Sequence, residues 1–418
     1  MSAATTKTAL IEEGHWLTVR DCKRVLVLVH TMTFAQRLKE VFNLLEGDLR
    51  IQVVFTAPPH AFGNGVTHYL RSLGITPVPW EEALRADFDL ALTAGSRGVH
   101  ELRAPVVRIS HGAGHNKLLT DRSLLAPGET RWPGMLSRQH LLHDGRVVPA
   151  AVVYAHERSL KELARSCPEA LPVARVAGDP CVDRIMAAVP NRQRYRDALG
   201  MAAGERLVVV SSTWGPASAF GRIDALLPQL LGQLPAGYRV ALLLHPNVFA
   251  GHGTWQVHSW LAGCGGRGVA VIPPEVDWQP LLIAADWVIG DHGSLSAYGT
   301  LTDATMLLTS GPQREIAAYS PAALLAAAAP VISPLHPLDA QLQYAARTRR
   351  HGQYERVAAS LSSVPGRFHQ RMRSIVYELL GLGEPARPVV VPPLPQPSPL
   401  AEWELSVNQE WLGRAVGA

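Results

Sequence analysis

Cysteine is scarce in this chain of 418 residues, and its spacing excludes two kinds of scaffold. The four cysteines are Cys22, Cys167, Cys181 and Cys264, and no two of them have the CxxC spacing of a zinc-binding pair. They are also too few and too scattered for a disulfide framework. A reducing compartment, the cytoplasm, is therefore the expected location.

Long apolar runs are missing as well. The N-terminal residues MSAATTKTALIEEGHW contain no apolar core flanked by basic residues, so we predict no signal peptide. The alanine-rich run 321–332 is too short to span a bilayer and is interrupted by Pro330. We expect no transmembrane helix.

Metal-binding motifs are absent too. His111 and His115 are four residues apart, as on one face of a helix, but neither an HExxH motif nor a carboxylate cluster accompanies them. We therefore expect no bound metal.

The formal net charge is only +4. This charge permits an anionic ligand, but a nucleic-acid partner usually requires clustered Lys and Arg, so we expect none. Residues 347–373 are the most basic part of the chain, and we interpret them as a solvated helix face. The alternatives are contact with an acidic acceptor or with lipid headgroups, which would bring the protein to the inner membrane surface. The sequence leaves the oligomeric state open.

Alternating strand and helix patterns run through the chain. Hydrophobic residues are 47% and charged residues 18% of the composition, which is typical of globular proteins. Short apolar runs typical of buried parallel strands include 24–30, 51–55, 75–78, 90–93, 106–109, 207–211, 240–244 and 287–289. This alternation predicts an α/β fold with two doubly wound Rossmann-like domains that face a central cleft.

We assign residues 1–185 to an N-terminal Rossmann-like domain and 186–375 to a C-terminal one. Residues 376–418 are expected to form a proline-rich tail with a short C-terminal helix. Residues 119–148 have little periodicity and are expected to form a long loop or lid.

Polar residues follow four of the predicted strands. These clusters are 111–117, 211–215, 245–247 and 290–294. Ligands of α/β sheets bind beyond the carboxyl ends of the strands. The Gly-Asp-His-Gly-Ser turn at 290–294 also opens a helix, where unpaired N–H groups favour a phosphate. Each cluster alone has a structural explanation such as helix capping, but their joint placement predicts one binding site.

At these residues the sequence resembles the CDP-glycerol glycerophosphotransferases of teichoic acid synthesis, a family with the GT-B glycosyltransferase architecture. The resemblance covers about residues 106–300 and has five parts in the family's order. They are His111-Gly112 with Lys117 for the His-Gly loop, Gly178, Pro180 and Asp183 for the Gly-x-Pro-x-x-Asp turn, Thr213-Trp214 for Pro-Thr-Trp, His245-Pro246 for His-Pro, and Asp291 with Ser294 for Asp-x-Ser-Ser.

The resemblance implies roles for these residues. His111 would be the base that deprotonates an acceptor hydroxyl in the first domain, and a neutral imidazole suits that task. The second domain would hold the nucleotide-diphosphate donor. The implied substrate- and donor-binding residues are Gly112, Lys117, Ser212, Thr213, Trp214, His245, Asp291, His292, Gly293 and Ser294. GT-B enzymes commonly need no catalytic metal, so the resemblance implies no cofactor besides the activated donor.

Three positions depart from the family pattern. Lys117 lies one residue farther from the histidine, Gly215 stands where the family has Arg, and His292-Gly293 replaces Tyr-Ser. The absence of that arginine removes a bidentate phosphate donor. The transferred group is therefore left open between a sugar and an alditol phosphate.

The expected function is that of a GT-B transferase. It would move an alditol-phosphate or sugar unit from a nucleotide-diphosphate donor, such as CDP-glycerol, to an acceptor hydroxyl. One alternative is a nucleotide-sugar epimerase of the same fold, which needs no acceptor. Another is a non-catalytic nucleotide-binding protein, which the altered motif positions would explain.

Overall fold

A computed structural model describes residues 18–19, 21–118, 131–223, 226, 234–264, 268–311 and 313–405. The strands are β1 Lys23–Leu28, β2 Ile51–Thr56, β3 Leu90–Thr93, β4 Val106–Ile109, β5 Leu142–His143, β6 Arg146–Val147, β7 Ala151–Tyr154, β8 Ala174–Val176, β9 Arg206–Ser212, β10 Tyr238–Leu244, β11 Val269–Val271, β12 Trp287–Gly290 and β13 Thr305–Leu308.

The helices alternate with these strands. They are α1 Met32–Phe42, α2 Val66–Ser72, α3 Trp80–Arg85, α4 Arg138–Leu141, α5 Arg158–Ser166, α6 Pro180–Ala188, α7 Arg192–Ala198, α8 Pro246–His252, α9 Thr254–Trp260, α10 Gln279–Ala284, α11 Ser294–Gly299, α12 Pro321–Ala328, α13 Leu338–Thr348, α14 Glu355–Leu361 and α15 Phe368–Leu380. The sequence also predicts a helix over 223–234, and this stretch lies largely outside the described residues.

The chain divides into two compact units, each built from several segments. Unit 1 comprises residues 1–111, 135–177 and 367–390, and unit 2 comprises 112–134, 178–366 and 391–418. These ranges differ from the expected domains 1–185 and 186–375, because the chain passes between the units several times. Sequence periodicity marks elements, but it does not show to which sheet an element returns.

Unit 1 is built on a six-stranded sheet with the order β2-β1-β3-β4-β7-β8, and all of its pairs are parallel. Successive residues of the central strand β1 point to opposite faces. Val25 and Val27 belong to one apolar cluster, and Leu26 and Leu28 belong to another on the other face. This burial on both faces explains why the strand reads as a continuous hydrophobic run.

Helix α15 completes unit 1, although it comes from a distant part of the chain. Its apolar face joins the cluster that holds Val25 and Val27. The Tyr377 hydroxyl donates to Asp48 at 2.8 Å, and the His369 ring hydrogen-bonds the buried Glu40 at 3.0 Å. This packing explains why 367–375, expected in the second domain, lies in unit 1.

Unit 2 is built on a five-stranded parallel sheet with the order β11-β10-β9-β12-β13. Its central strand β9 again alternates, with Leu207 and Val209 in one cluster and Val208 and Val210 in the other. Both units are therefore doubly wound α/β folds, as the sequence predicts.

The expected tail 376–418 is not a separate region. Residues up to Leu380 belong to α15, and the segment from Val391 packs on unit 2. There the Leu400 amide donates to the Leu199 carbonyl at 3.0 Å, and Glu404 pairs with Arg239. A short 3-10 helix covers Leu400–Trp403, and residues 406–418 lie outside the described part.

Two local predictions need correction. Residues 75–78 do not form a strand, since only Val78 makes an isolated bridge, to Thr56. The expected lid over 119–148 is in part regular structure, because α4 and the β5–β6 hairpin lie within it. Residues 119–130 of that stretch lie outside the described residues.

A search of the described residues found no helix that is both long and apolar enough to cross a membrane. The cleft expected between the two domains stays a prediction.

Candidate functional site

Unit 2 brings the predicted donor-binding residues together at the switch point of its sheet. The connection after β9 leads to β10 on one side, and β12 lies on the other side of β9. Ligands of doubly wound sheets bind in the crevice that such a reversal opens at the carboxyl edge. Ser212, Thr213 and Trp214 come at the end of β9, and 291–294 follow β12. The two loops therefore flank the crevice from opposite sides.

Asp291 organises these loops. Its carboxylate is 3% exposed and accepts hydrogen bonds from the backbone amides of Thr213 at 2.9 Å, Ala219 at 3.0 Å and Gly293 at 2.8 Å. Bonds from N–H donors to a buried carboxylate are among the stronger hydrogen bonds of proteins. The geometry therefore gives Asp291 a positioning role in the site, because its oxygens are directed at the protein backbone.

The hydroxyl of Ser212 has a similar function. It donates to the Thr213 carbonyl at 2.8 Å and accepts from the Phe220 amide at 2.8 Å. The same loop is thus held at its beginning by Ser212 and further along by Asp291.

Gly112 and Ser294 are in close contact. The Ser294 hydroxyl accepts from the Ala113 amide at 3.1 Å, and a Cβ built on Gly112 would lie 2.5 Å from the Ser294 Oγ. Carbon and oxygen atoms do not approach so closely without a bond. A glycine is therefore required at 112 as long as Ser294 keeps its position at the start of α11.

Lys117 lies at the end of the same loop. Its ammonium is 5.1 Å from the centroid of the Trp214 ring, which is 37% exposed. The backbone is held against the segment before α12, since Ala317 donates to Asn116 at 2.8 Å and Leu118 donates to Glu315 at 2.9 Å. The predicted residues Lys117 and Trp214 are thus in contact, and they present a positive charge over an aromatic face.

His292 lies among charged groups. Burial is the largest cause that lowers the pKa of its imidazole, and the positive charges of Lys117 and Arg222 act in the same direction. Asp291 and Glu315 partly oppose them. Its Nδ1 is buried and has no hydrogen-bond partner among the described residues. A neutral imidazole near two cations is suited to a site for a phosphate.

Arg222 was missed by the sequence analysis. It lies seven residues after Gly215, in the connection that follows β9, and donates to Ser310 at 2.8 Å and to the Ala217 carbonyl at 3.3 Å. The resemblance points to a guanidinium only at the position directly after Trp214. A search of the whole βα connection would have found this one.

His245 lies one strand away, after β10. Its backbone amide donates to the Ser212 carbonyl at 3.0 Å, and its ring caps α8 by accepting from the Asn247 amide at 3.1 Å. The structure thus places His245 beside the β9 loop, with Nδ1 used in helix capping.

The Gly178-to-Asp183 turn is a structural connection within unit 2. Asp179 is 1% exposed, caps α6 through the amides of Cys181 and Val182, and accepts from the Tyr298 hydroxyl at 2.7 Å. Tyr298 belongs to α11. The turn therefore fixes the helix that begins at Ser294, and it need not contact a ligand to matter for the site.

His111, the predicted base, belongs to unit 1, where it follows β4. A hydrogen bond to the backbone of Ala94 orients its ring, and the Phe34 ring lies 4.8 Å from it between centroids. Desolvation by the surrounding protein lowers the pKa of His111 to about 4, and the charges of Arg37 and Arg108 add to the effect. Counted with its backbone, His111 is nevertheless an exposed residue. The imidazole is thus neutral near pH 7, the form that can accept a proton.

Two further histidines of unit 1 were not singled out from the sequence. His30 follows β1 and His60 follows β2, so both lie at the same carboxyl edge as His111. In the sequence, His30 ends the apolar run 24–30, and His60 lies in a loop rich in proline and glycine.

Among the residues that the structure describes, no group of three or more His, Cys, Asp or Glu side chains is placed to hold a metal ion. Asp87 and Asp89 form an Asp-x-Asp pair, but they precede β3 and so lie at the amino edge of the sheet. Asp89 is bound there by Lys23 and the Arg24 amide, each at 2.8 Å.

The basic stretch 347–373 is divided between the two units. Arg349 bonds the Asp303 carbonyl, Arg371 donates to the Val176 carbonyl at 2.9 Å, and Arg373 pairs with Glu384 at 2.8 Å. These arginines are used within the protein. Contact with a membrane stays a prediction that rests on the other basic residues of the stretch.

Comparison with known structures defines the class of fold. No protein-family model and no curated protein matches the chain. Among solved structures, the wall teichoic acid polymerase TagF matches with a TM-score of 0.57 at 12% identity, over 87% of this chain and 90% of that one. A TagF variant soaked with CDPG gives the same values.

Two further solved structures match as well. Staphylococcus aureus MnaA, solved with UDP, has a TM-score of 0.51 at 13% identity, over 85% of this chain and 97% of that one. The UDP-GlcNAc 2-epimerase of Methanocaldococcus jannaschii has a TM-score of 0.51 at 11% identity, over 85% of this chain and 99% of that one. The chain therefore has the GT-B fold of two doubly wound domains, and identities this low show the fold alone.

Proposed function

We propose that this protein is a transferase that moves an alditol-phosphate or sugar unit from a nucleotide-diphosphate donor, such as CDP-glycerol, to an acceptor hydroxyl. One observation carries the proposal most directly. Asp291 ties together the two loops that flank the switch point of unit 2, where doubly wound sheets bind nucleotides.

The donor side of the reaction requires groups that stabilise a phosphate. Lys117 and Arg222 supply positive charge around His292, and charge that gathers on the departing nucleotide would be offset by such fixed cations. Arg222 places a guanidinium charge in the connection after β9, although its two terminal nitrogens already donate to Ser310 and Ala217. This supports a diphosphate donor despite the departure from the family pattern.

The acceptor side requires a base. His111 is neutral near pH 7, and its hydrogen bond to the Ala94 backbone fixes which ring nitrogen carries the proton. The other nitrogen takes the proton of the acceptor hydroxyl. The oxygen then attacks the phosphorus of the alditol phosphate or the anomeric carbon of the sugar. The bond to the nucleotide breaks, and its electron pair leaves with CMP or with the nucleoside diphosphate.

Product analysis with intact protein tests this proposal. CDP-glycerol and UDP-N-acetylglucosamine are each incubated with and without an alditol acceptor, and nucleotide release is followed by chromatography and the product by mass spectrometry. We expect acceptor-dependent release, lost in His111→Gln and retained in the matched surface control His351→Gln. Nucleotide that binds without release under any of these conditions would instead support a non-catalytic binding protein.

The epimerase alternative is supported by the match to the UDP-GlcNAc 2-epimerase. It makes a different prediction, because inversion at C2 breaks a carbon–hydrogen bond and needs no acceptor. UDP-N-acetylglucosamine incubated alone in D₂O would then gain deuterium. Deuterium uptake without an acceptor would replace the transferase proposal with the epimerase.

A further inference from the structure

Residues 112–118, which follow β4 along the chain, form a loop that belongs to unit 2. The loop is attached to residues 315–322 of the same unit, which include the start of α12. We call the contact between 112–118 and 315–322 the clip. The loop carries Lys117, a cation that the proposed function places on the donor side.

Two backbone hydrogen bonds form the first part of the clip. The Ala317 amide donates to the Asn116 carbonyl at 2.8 Å. The Leu118 amide donates to the Glu315 carbonyl at 2.9 Å. Between these bonds Lys117 forms an antiparallel bridge with the facing residue. Since successive side chains of an extended segment point to opposite sides, the pairing sets the direction in which the Lys117 side chain leaves the backbone.

The Asn116 side chain supplies a third bond. Its Oδ1 accepts from the Ala322 amide at 3.1 Å. That amide lies in the first turn of α12, where an N–H group has no acceptor within the helix. Asn116 therefore caps a helix from a loop that lies 206 positions earlier in the chain.

Ser320 caps the same helix end from the adjoining position. Pro321 has no N–H group, and the Ala323 amide donates to the Ser320 hydroxyl at 3.2 Å. Ser320 and Asn116 thus satisfy neighbouring amides of one turn, as capping side chains do. They differ in one respect, because Ser320 adjoins the helix and Asn116 belongs to the loop that carries Lys117.

The loop is also fixed on the other side of Asn116. Ala113 is fully buried in the core of unit 2, and its amide donates to the Ser294 Oγ at 3.1 Å. Gly114 has a φ of +63°, and a Cβ there would lie 3.2 Å from two ring carbons of Pro321. The chain therefore runs close against the start of α12 before it reaches Asn116.

Lys117 depends on this backbone for its position. It is an exposed residue, and a lysine side chain has a flexible four-carbon stem. Its ammonium nevertheless lies 5.1 Å from the centroid of the Trp214 ring. A cation held in one place stabilises developing charge better than a mobile one, because it needs no reorganisation during the reaction.

We propose that Asn116 is a positioning residue, which fixes Lys117 over Trp214 by capping α12 from the loop. Without the Oδ1 acceptor, the Ala322 amide loses its partner and the loop loses one of its three bonds to 315–322. The Lys117 ammonium then occupies positions away from the ring. The role of Lys117 toward a donor phosphate rests on the proposed function, but its position over Trp214 does not.

Fluorine NMR of the full chain labelled with 5-fluorotryptophan tests the position of Lys117. The Trp214 resonance is identified by its absence in Trp214→Phe, and Lys117→Gln gives the resonance without the cation. We expect Asn116→Ala to move the resonance at least halfway toward that of Lys117→Gln. Because Asn116 acts through Lys117, the double variant should give the same resonance as Lys117→Gln alone.

Two further variants separate positioning from a general loss of stability. Ser320→Ala removes the other side-chain acceptor of the same helix end, so its Tm should fall about as much as that of Asn116→Ala. The Trp214 resonance should nevertheless keep its wild-type position in Ser320→Ala. Asn116→Asp keeps an oxygen acceptor, and its charge points away from the Lys117 ammonium, so it should keep the wild-type resonance as well.

Two results would overturn the inference. One is a Trp214 resonance that Asn116→Ala leaves unchanged. The other is a shift in Ser320→Ala as large as that in Asn116→Ala, since loss of either cap would then act only through the stability of α12.

Titration calorimetry with CDP and with UDP connects this position to donor binding. Lys117→Gln should weaken the binding of at least one nucleotide by about tenfold. Asn116→Ala should produce part of this loss, and the double variant should bind no more weakly than Lys117→Gln.

The outcomes distinguish the positioning role from the proposed function. The expected Trp214 shifts together with no binding of either nucleotide by the wild type would refute the proposed donor and leave the positioning role intact. Nucleotide binding that Lys117→Gln weakens and Asn116→Ala leaves unchanged would refute the positioning role and leave the proposed function intact.

Discussion

Replacing Asp291 by Asn tests whether its carboxylate positions the two loops of the site or binds the nucleotide directly. The carboxylate accepts from three backbone amides, two at Oδ2 and one at Oδ1. An asparagine side chain has one oxygen and one NH₂ group, and so it cannot serve all three. In its better orientation the oxygen keeps the bonds to Thr213 and Ala219, and the NH₂ group faces the Gly293 amide.

The expected loss of stability follows from the number of backbone amides that are left without an acceptor. One buried donor left without an acceptor costs about 1–3 kcal/mol. Asp291→Ala removes the partner of all three amides, and removal of one side of a buried charged interaction costs about 3–5 kcal/mol. In a domain of about 150–250 residues each kcal/mol lowers the Tm by about 2–4 °C. We therefore expect a decrease of about 2–12 °C for Asp291→Asn in the transition of unit 2, and a larger one for Asp291→Ala.

Calorimetry of the full chain measures the decrease in Tm, and hydrogen exchange shows which amides lose protection. The amides of Thr213, Ala219 and Gly293 are expected to lose protection first, because the carboxylate is their acceptor. Asp303→Asn is a matched control, since it makes the same chemical change at an exposed position of the same unit. It should leave both the Tm and the exchange rates unchanged.

The opposite pattern would refute the reasoning. If Asp291→Asn kept the wild-type Tm and exchange rates but bound CDP-glycerol or UDP more than tenfold more weakly, the carboxylate would be a direct ligand. The interpretation of Asp291 as the connection between the two loops would then be wrong.

Three further predictions concern the other residues of the sites. His111→Gln should lower kcat by about 10² to 10⁴ with nucleotide affinity unchanged. Because the pKa of the base is lowered, the wild-type rate should stay level from pH 8 to 6 and fall only toward pH 4. A fall in rate centred near pH 6.5 would contradict this prediction. Gly112→Ala should weaken nucleotide binding through its clash with the Ser294 Oγ. The double variant Gly112→Ala with Ser294→Ala should recover part of the lost affinity in calorimetric titrations. Equal affinities of the two variants would exclude the clash. Since the pKa of His30 is lowered to about 4 in the fold, the unfolded state binds more protons between pH 6.5 and 4, so His30 should lower the stability by up to about 3 kcal/mol as the pH falls through this window. His30→Gln should make the dependence shallower in urea unfolding, but the lowered pKa values of His111 and His140 should preserve part of it.

Much of the fold could be predicted because buried strands have a strong pattern. The runs 90–93 and 106–109 match β3 and β4 at both ends, since every residue of these strands is buried and the flanking residues break the pattern. Residues 75–78 have a similar composition but no neighbouring strand to pair with along their length. Composition predicts that a segment can be a strand, whereas pairing decides whether it is one.

The division into units could not be predicted from the sequence. Helix α15 follows α14 closely, yet it packs in a different unit. Its sequence shows an apolar face but does not show which core that face joins. Long-range contacts such as that between Tyr377 and Asp48 place α15 in unit 1. No pattern in the neighbouring sequence indicates such contacts.

The candidate residues of unit 2 are easier to find in the sequence than the histidine cluster of unit 1, for a physical reason. Its residues form compact polar clusters directly after strands, with glycines and serines that mark a tight turn. The unit 1 cluster is spread over three connections, and His30 stands at the end of an apolar run where it looks like part of a strand. A single buried histidine has no neighbours in sequence that reveal its unsatisfied nitrogen.

The reversal of strand order in each sheet is flanked by different side chains in the two units. In unit 2 the reversal between β9 and β12 is flanked by loops that a buried carboxylate holds in place, with cations close by, which suits a charged donor. In unit 1 the reversal between β1 and β3 is flanked by neutral imidazoles and an aromatic ring. The candidate base stands one strand away from that reversal and shares Phe34 with it.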